Sequence, residues 1–336
     1  MPWRPGHRAE LEGRCRSSLV DIPRSTRLSI SVILCTRDPD QGRLARTARA
    51  LAAQSLSASD CEYVVVDNGS SRPLSAADLG IPGQSFRVLR EERPGLTPAR
   101  LAGIAAARGD VLVFVDDDNV LDPGYLAAAR DAFAVDASLA AAGGPIVPEY
   151  ETPPPAWMRE FEPLLALRDL GSAPRRARGG PRVPWPDFAP VGAGLCIRRS
   201  AAEAYAREVA SDSARAALDR RGGTLTSGGD NDLVFTALRA GGDVAYLPSL
   251  RLTHLIPAKR LEPAYLTRLN RAIQRSWVRV LDIHGERPWP SVPRWTLPLR
   301  LTRAWIRSRP WNGPAESVRY HGLAGRLEGQ SELALQ

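Results

Sequence analysis

Residues 111–115 read Val-Leu-Val-Phe-Val, and Asp116-Asp117-Asp118-Asn119 follow at once. An unbroken apolar run predicts a strand buried on both faces, the mark of a parallel sheet covered by helices. Three adjacent carboxylates at the strand's end repel one another unless a cation or hydrogen-bond donors compensate. Aspartates at alternate positions can direct two carboxylates at one divalent ion, because hard cations take oxygen ligands. The plain alternative is a solvated turn with a helix cap at Asp118 or Asn119.

The flanking sequence fits the same architecture. Leu28–Cys35, Tyr63–Val66 and Phe86–Leu89 read as further strands. Gln41–Gln54 has apolar Leu44, Ala48 and Leu51 at helical spacing. Thr97–Ala107 reads as a helix entered through Thr97 as cap, with Pro98 at its first position. Asp122-Pro123 opens another, to about Ala134. Alternation of this kind predicts an α/β fold with a doubly wound, mostly parallel sheet flanked by helices. Such sheets bind ligands beyond the carboxyl ends of their strands. Thr36-Arg37-Asp38, Asp67-Asn68 and Asp116–Asn119 occupy those places.

Pro148–Pro190 holds ten prolines and reads as irregular, with a short helix near Glu160–Arg168. Regular structure resumes at Ala193–Arg198, in helices near Ser200–Val209 and Asn231–Ala240, and in short strands near Asp243–Tyr246 and Leu250–His254. Pro263–Ile283 reads as a helix with Leu266, Leu269, Ile273, Trp277 and Val280 on one face. The domain plan is a loose tail at 1–27, a main domain at 28–260 and a helical basic extension at 261–336. The main domain divides into 28–147 and 148–260.

Composition narrows the chemistry. The chain has 336 residues, 43% apolar and 24% charged, with a net charge of +8. That is globular material. No run approaches the roughly 18 apolar residues of a membrane span. Arginines punctuate the first 27 residues where a signal peptide needs an apolar stretch, so the expected compartment is the cytoplasm. The four cysteines lie apart with no CxxC pair and read as reduced, packed residues. Lys259 is the single lysine. No glycine loop precedes it, which excludes a P-loop, and it comes too late in the chain for a kinase strand lysine.

Three other features bear on function. Asp230, in Gly228-Gly229-Asp230-Asn231-Asp232, is either a general base at a helix start or an N-cap. His254 is either a third metal ligand or a structural histidine; no HExxH or GxSxG motif accompanies it. Between Arg268 and Arg326, twelve arginines face three acids, a net charge of +9, and five of the eight tryptophans fall there. This stretch reads as a solvated extension or as a peripheral anchor on an anionic membrane, with nucleic-acid binding third.

Taken together, these motifs resemble glycosyltransferase family 2, inverting enzymes of the GT-A fold. The resemblance covers about Ser29 to Leu261. It rests on Thr36-Arg37, VVVDNGS (64–70), RPGLTPARLAGI (93–104), VLVFVDDDN (111–119), VGAGLCIRR (191–199), GGDNDL (228–233) and HLIP (254–257), in that order and spacing. It implies nucleotide contacts for Thr36, Arg37, Asp67, Arg93, Arg100 and Asp116. It also implies a divalent metal, Mn²⁺ or Mg²⁺, at the DXD-type Asp118 with His254. Asp230 would be the base, with Gly229, Asn231 and Asp232 at the acceptor site. The family usually carries Glu-Asp where this chain has Gly229-Asp230, so the base is retained and its acidic neighbour is not. The implied reaction moves a sugar from a nucleotide diphosphate sugar, UDP-linked as the first expectation, to a sugar or lipid-linked hydroxyl, as in cell-envelope polysaccharide synthesis. The rivals are a nucleotidyltransferase on a similar sheet and a non-catalytic nucleotide-sugar-binding relative.

Overall fold

β1 (Ile30–Thr36) is a nearly continuous buried run inside the main sheet. The computed structural model describes residues 28–79, 86–220 and 224–333, so the expected tail at 1–27 lies outside the described residues. α1 (Gln41–Ala52) begins at Asp40, whose carboxylate accepts the Arg43 N–H at 3.0 Å, and turns Leu44, Ala48 and Leu51 into the core. β2 (Cys61–Asp67), β3 (Phe86–Arg90), α2 (Leu96–Ala106) and β4 (Val111–Asp116) complete the first half. These strands pair in parallel in the order β3-β2-β1-β4. The chain winds outward from β1 to β3 and then returns to the other side of β1. Strand order therefore reverses between β1 and β4, where a doubly wound sheet opens its ligand crevice. The register sets Cys35 against Asp116 and Thr36 against Asp67.

The second half contains β5 (Asn119–Leu121), α3 (Tyr125–Val135), β6 (Leu139–Gly143) and β7 (Ile146–Tyr150). Then come β8 (Arg175–Ala177), β9 (Cys196–Arg198), α4 (Arg199–Ser211), α5 (Ser213–Ala216) and α6 (Gly229–Arg239), followed by β10 (Asp243–Tyr246) and β11 (Leu252–Ile256). The main sheet continues from β4 through β9, β6 and β10 to β8, with β9 antiparallel to both its neighbours. A small sheet, β5-β11-β7, sets His254 opposite Asn119 and so beside the aspartate run.

Some local expectations needed correction. α2 starts at Leu96 behind Gly95, whose φ of 133° suits glycine, and no side chain caps it. Thr97 instead donates its hydroxyl to Asp219 at 3.1 Å. α3 starts at Tyr125 rather than at Asp122-Pro123. β6 is Leu-Ala-Ala-Ala-Gly, fully buried and without alternation, so its pattern did not announce a strand. The proline-rich stretch carries a 3-10 helix at Ala156–Leu165 and the short β8.

α7 (Pro263–Ile283), α8 (Leu297–Ser308) and α9 (Pro314–Leu333) form the C-terminal region. α7 and α9 run side by side in the same direction, tied by Asn270 to the Val318 carbonyl at 2.9 Å and by Arg279 to Glu332 at 2.6 Å. Gly325 allows the approach, since a Cβ there would strike the Arg271 backbone. No helix among the described residues is long and apolar enough to cross a membrane.

Candidate active site

A cleft of about 410 Å³ opens at the β1/β4 crevice. Thr36 and Arg37 line it from the end of β1, Asp116, Asp117 and Asp118 from β4, and Asp230 from the first turn of α6. The 3-10 helix contributes Leu164 and Leu165, and α7 contributes Tyr265, Leu269 and Ile273. So α7, expected in the extension, closes one side of the cleft.

In one corner, Asp118 and His254 are both buried, with Asp118 Oδ1 3.3 Å from His254 Nε2. The β5–β11 pairing brings them together, and the Leu255 N–H donates to the Asp118 carbonyl at 2.9 Å. His254 Nδ1 lies 3.0 Å from the Leu165 carbonyl, which fixes the ring and turns Nε2 toward Asp118. Arg260 reaches both groups, with Nη1 2.9 Å from His254 Nε2 and Nη2 3.0 Å from Asp118 Oδ2. Burial works against the Asp118 charge, but the hydrogen bond from His254 and the charges of His254 and Arg260 bring its pKa down to about 2. Burial and then the Asp118 charge push Asp117 up to about 6, although the Thr36 hydroxyl donates to it. The same two causes raise Asp116.

Beneath this corner lies a buried arginine. Arg100 is 5% exposed, and its Nη1 pairs with Asp219 Oδ2 at 2.9 Å. Burial opposes its charge, but Asp219, Asp230 and Asp116 outweigh that and raise its pKa. Asp219 also accepts the Gly229 N–H at 3.0 Å. A Cβ at position 229 would run into the Asp219 carboxylate, so glycine there makes room for it. Asp230 accepts the Gly192 N–H at 2.7 Å on Oδ2 and the Asn231 N–H at 3.0 Å on Oδ1. A Cβ at Gly192 would lie 2.6 Å from Arg100 Nη2 and 3.0 Å from Asp230 Oδ2, so the backbone reaches Asp230 only as glycine. The Asp230 carboxylate is thus aimed into the cleft by its neighbours rather than serving as the cap of α6, a place that Gly228 takes.

The structure brings Thr36, Arg37, Arg100, Asp116, Asp118, Asp230 and His254 to one cleft. The other expected residues go elsewhere. Asp67 is buried and fully engaged, accepting from Ser70 N at 2.9 Å and Leu74 N at 3.1 Å and pairing with Arg90 at 2.8 Å. Its neighbour Asn68 lines the cleft instead and ties β2 to the following loop through the Gly95 N–H at 2.8 Å. Arg93 is exposed and pairs with Glu91 at 2.9 Å. Asp232 points into the core, where it meets His284 at 2.7 Å and Arg215 at 3.3 Å, pinning α6 to α7 and α5. Gly229 and Asn231 do not line the cleft. Sequence reasoning missed Asp219, Arg260 and Tyr265, because no local motif marks them.

The family model of glycosyl transferase family 2 matches residues 31–206, which run from the second residue of β1 through the aspartate run and β9 into α4. The chain belongs to glycosyl transferase family 2. It is 35% identical over 118 residues to polypeptide N-acetylgalactosaminyltransferase 5 of Mus musculus, spanning 33% of this chain and 12% of that relative. The chain thus aligns with a fifth or less of the curated relatives it matches. Among solved structures, its fold is similar to the mannosyltransferase PcManGT from Pyrobaculum calidifontis in complex with GDP-Man and Mn²⁺. That match has a TM-score of 0.52 at 16% identity and covers 92% of this chain and 79% of the other. GalNAc-T7 with UDP, GalNAc and Mn²⁺ matches with a TM-score of 0.51 at 16% identity, over 91% of this chain and 54% of that one. The fold of this family 2 member is therefore the GT-A fold, with a helical C-terminal region.

Proposed function

We propose that this chain is an inverting, metal-dependent glycosyltransferase. It moves a sugar from a nucleotide diphosphate sugar, UDP-linked as the first expectation, to a hydroxyl of a sugar or lipid-linked acceptor. The observation that carries this reading is the Asp230 carboxylate, held by the Gly192 N–H, in one cleft with the Asp118–His254 pair. Two proteins of the same fold hold UDP or GDP-Man together with Mn²⁺, which supports seeking the donor in this cleft.

Asp118 and His254 suit a divalent cation: one hard oxygen and one imidazole nitrogen converge, and the ring's other nitrogen is anchored. Among the described residues no third His, Cys, Asp or Glu completes a metal centre, so donor phosphates and water would supply the remaining ligands. Bound there, Mn²⁺ or Mg²⁺ would act as a Lewis acid that offsets the charge of the leaving diphosphate.

The chain's own residues do the rest. Thr36, Arg37 and Asn68 line the β1–β2 side, which we assign to the nucleotide within a 28–147 half. Residues 148–260, with the cleft wall of α7, shape the acceptor side. Asp230 accepts the proton of the acceptor hydroxyl as its oxygen attacks the anomeric carbon and the bond to the diphosphate breaks. Attack opposite the leaving group inverts that carbon, and no enzyme nucleophile is needed. Arg100 is a positioning residue: its pair with Asp219 fixes a positive charge beneath Asp230. Asp219 supplies a carboxylate beside the base where position 229 has none. The reaction would run in the cytoplasm, with peripheral contact to the inner membrane face, toward cell-envelope polysaccharide.

Product analysis tests this reading. With a panel of nucleotide sugars and acceptors, the wild type should release nucleoside diphosphate and form a product of inverted configuration. Asp230→Asn should lose turnover by about 10²–10⁴-fold, the usual range for a general base. Full turnover by Asp230→Asn would overturn the assignment. Pyrophosphate release from a nucleoside triphosphate would favour the nucleotidyltransferase alternative.

A further inference from the structure

α8 has no reason to be apolar on its outer side, yet it is. At about 100° per residue, Leu297, Leu301 and Ala304 fall on one side, and this side packs toward α9. On the far side lie Leu299, 72% exposed, and Ile306, 57% exposed, while Trp305, 45% exposed, stands on the flank between that side and Leu301. Trp295, 84% exposed, precedes the helix, and Trp311, 56% exposed, follows it with its ring 4.5 Å from that of Trp305. These are the largest exposed apolar side chains of the described residues besides Val135. They gather on one short segment rather than scattering, as isolated surface apolar residues do.

The charge of the same segment is equally unusual. Between Glu286 and Glu316 there is no acid. Arg300, Arg303 and Arg307 form a stripe along the flank of the exposed apolar side, and Arg294 and Arg309 stand at its ends. None of these five arginines pairs with a carboxylate among the described residues. On α7 the opposite holds: Arg271, Arg275 and Arg279 all pair with Glu328 or Glu332 of α9.

We propose that α8 and its flanking tryptophans form an interfacial helix that docks this protein on the surface of an anionic bilayer. Leu299, Ile306 and Trp305 enter the boundary between headgroups and acyl chains, and the arginine stripe lies against lipid phosphates. Trp295 and Trp311 sit at the depth where indoles concentrate in membrane proteins. Exposed Leu and Ile have no counterpart in a polynucleotide backbone, which argues against nucleic acid as the occupant. A two-fold pairing of this face with a second copy would set unpaired arginines against unpaired arginines, at a cost in repulsion. An anionic bilayer satisfies both the apolar and the cationic halves of the face. The inference is independent of the donor and of the chemistry in the cleft.

The test is co-sedimentation of the full chain with two kinds of vesicle: phosphatidylcholine alone, and equal parts phosphatidylcholine and phosphatidylglycerol. The wild type should bind the anionic vesicles and leave the neutral ones, with weaker binding at high salt. The triple variant Arg300→Gln, Arg303→Gln and Arg307→Gln should bind about 100-fold more weakly, at roughly five-fold per arginine near an anionic surface. A second triple variant, Leu299→Ser, Trp305→Ser and Ile306→Ser, should lose at least about 100-fold. The arginine variant should keep the wild-type melting temperature, because its altered side chains are exposed and pair with no carboxylate among the described residues. Leu299→Ser with Ile306→Ser, which leaves the Trp305–Trp311 contact intact, should keep it too and still weaken binding. Equal binding to the two vesicle types, or no loss in either variant, would overturn the proposal. So would concentration-dependent dimers that both variants abolish while vesicles go unbound, or tighter binding to duplex DNA than to anionic vesicles.

Discussion

Arginine plays opposite parts in two regions of this molecule. In the cleft, Arg100 and Arg260 are enclosed and met by carboxylates: Asp219 at 2.9 Å and Asp118 at 3.0 Å. Along α8 and at its two ends, five arginines lie beside exposed apolar side chains and meet no carboxylate among the described residues. A buried charge must be neutralised within the chain, because desolvation otherwise costs several kcal/mol. An exposed charge pays no such penalty and is available to an outside partner. The first arrangement is the one proposed to serve chemistry in the cleft; the second is the one proposed to serve attachment to a bilayer.

The largest effect is expected where the pairing is most buried. Arg100→Met or Asp219→Asn alone should destabilise the fold by about 3–5 kcal/mol, since each leaves an uncompensated charge or a broken pair. The double variant should lose less than the sum of the two, as a urea-unfolding cycle would measure. Strict additivity would mean that the two groups do not act as a unit. A smaller effect is expected at Arg260, whose guanidinium contacts the same two side chains that are proposed to hold the cation. Arg260→Gln should tighten Mn²⁺ binding in the absence of nucleotide by about tenfold, the scale of one charge-assisted hydrogen bond released. Titration monitored by the Mn²⁺ electron-spin signal would check this, and weaker binding would assign Arg260 a supporting role. The smallest effect sharpens the contrast itself. Arg271→Gln removes a cation that Glu328 already neutralises. It should change binding to anionic vesicles less than two-fold and stability by about 0–1 kcal/mol. A loss as large as that from the α8 arginines would erase the distinction between the two helices.

Much of the fold was legible in the sequence because burial on both faces leaves a plain signal. Val111–Val115 and Tyr63–Val66 announced their strands, and the polar residues after them fell at the crevice. Pro263–Ile283 was readable to the residue, since proline starts it and its apolar spacing is regular. β6 was not readable, because Leu-Ala-Ala-Ala-Gly has neither alternation nor β-branched residues. At the site, adjacency within a motif misled twice. Asp67 and Asn68 are consecutive, but the first turns inward and the second faces the cleft. Asp230 and Asp232 share one helical turn, yet only Asp230 reaches the cleft while Asp232 pairs with His284 in the core. Asp219 and Arg260 were invisible because their ion-pair partners, Arg100 and Asp118, lie more than one hundred residues away in sequence. Gly229 looked like a lost acid; the structure fills its place with Asp219.

The central claim is that the β1/β4 crevice holds a nucleotide diphosphate beside a metal at Asp118. Thermal unfolding with UDP, GDP, dTDP and CDP, each with and without Mn²⁺, tests it most directly when run on wild type and on Asp118→Ala. A ligand at about 100 times its Kd adds ~2.7 kcal/mol to stability, a readable shift in midpoint. The account predicts that one nucleotide, UDP first, shifts the wild type only when Mn²⁺ is present, and that Asp118→Ala abolishes the shift. No shift with any nucleotide, or a shift that Asp118→Ala leaves intact, would contradict it.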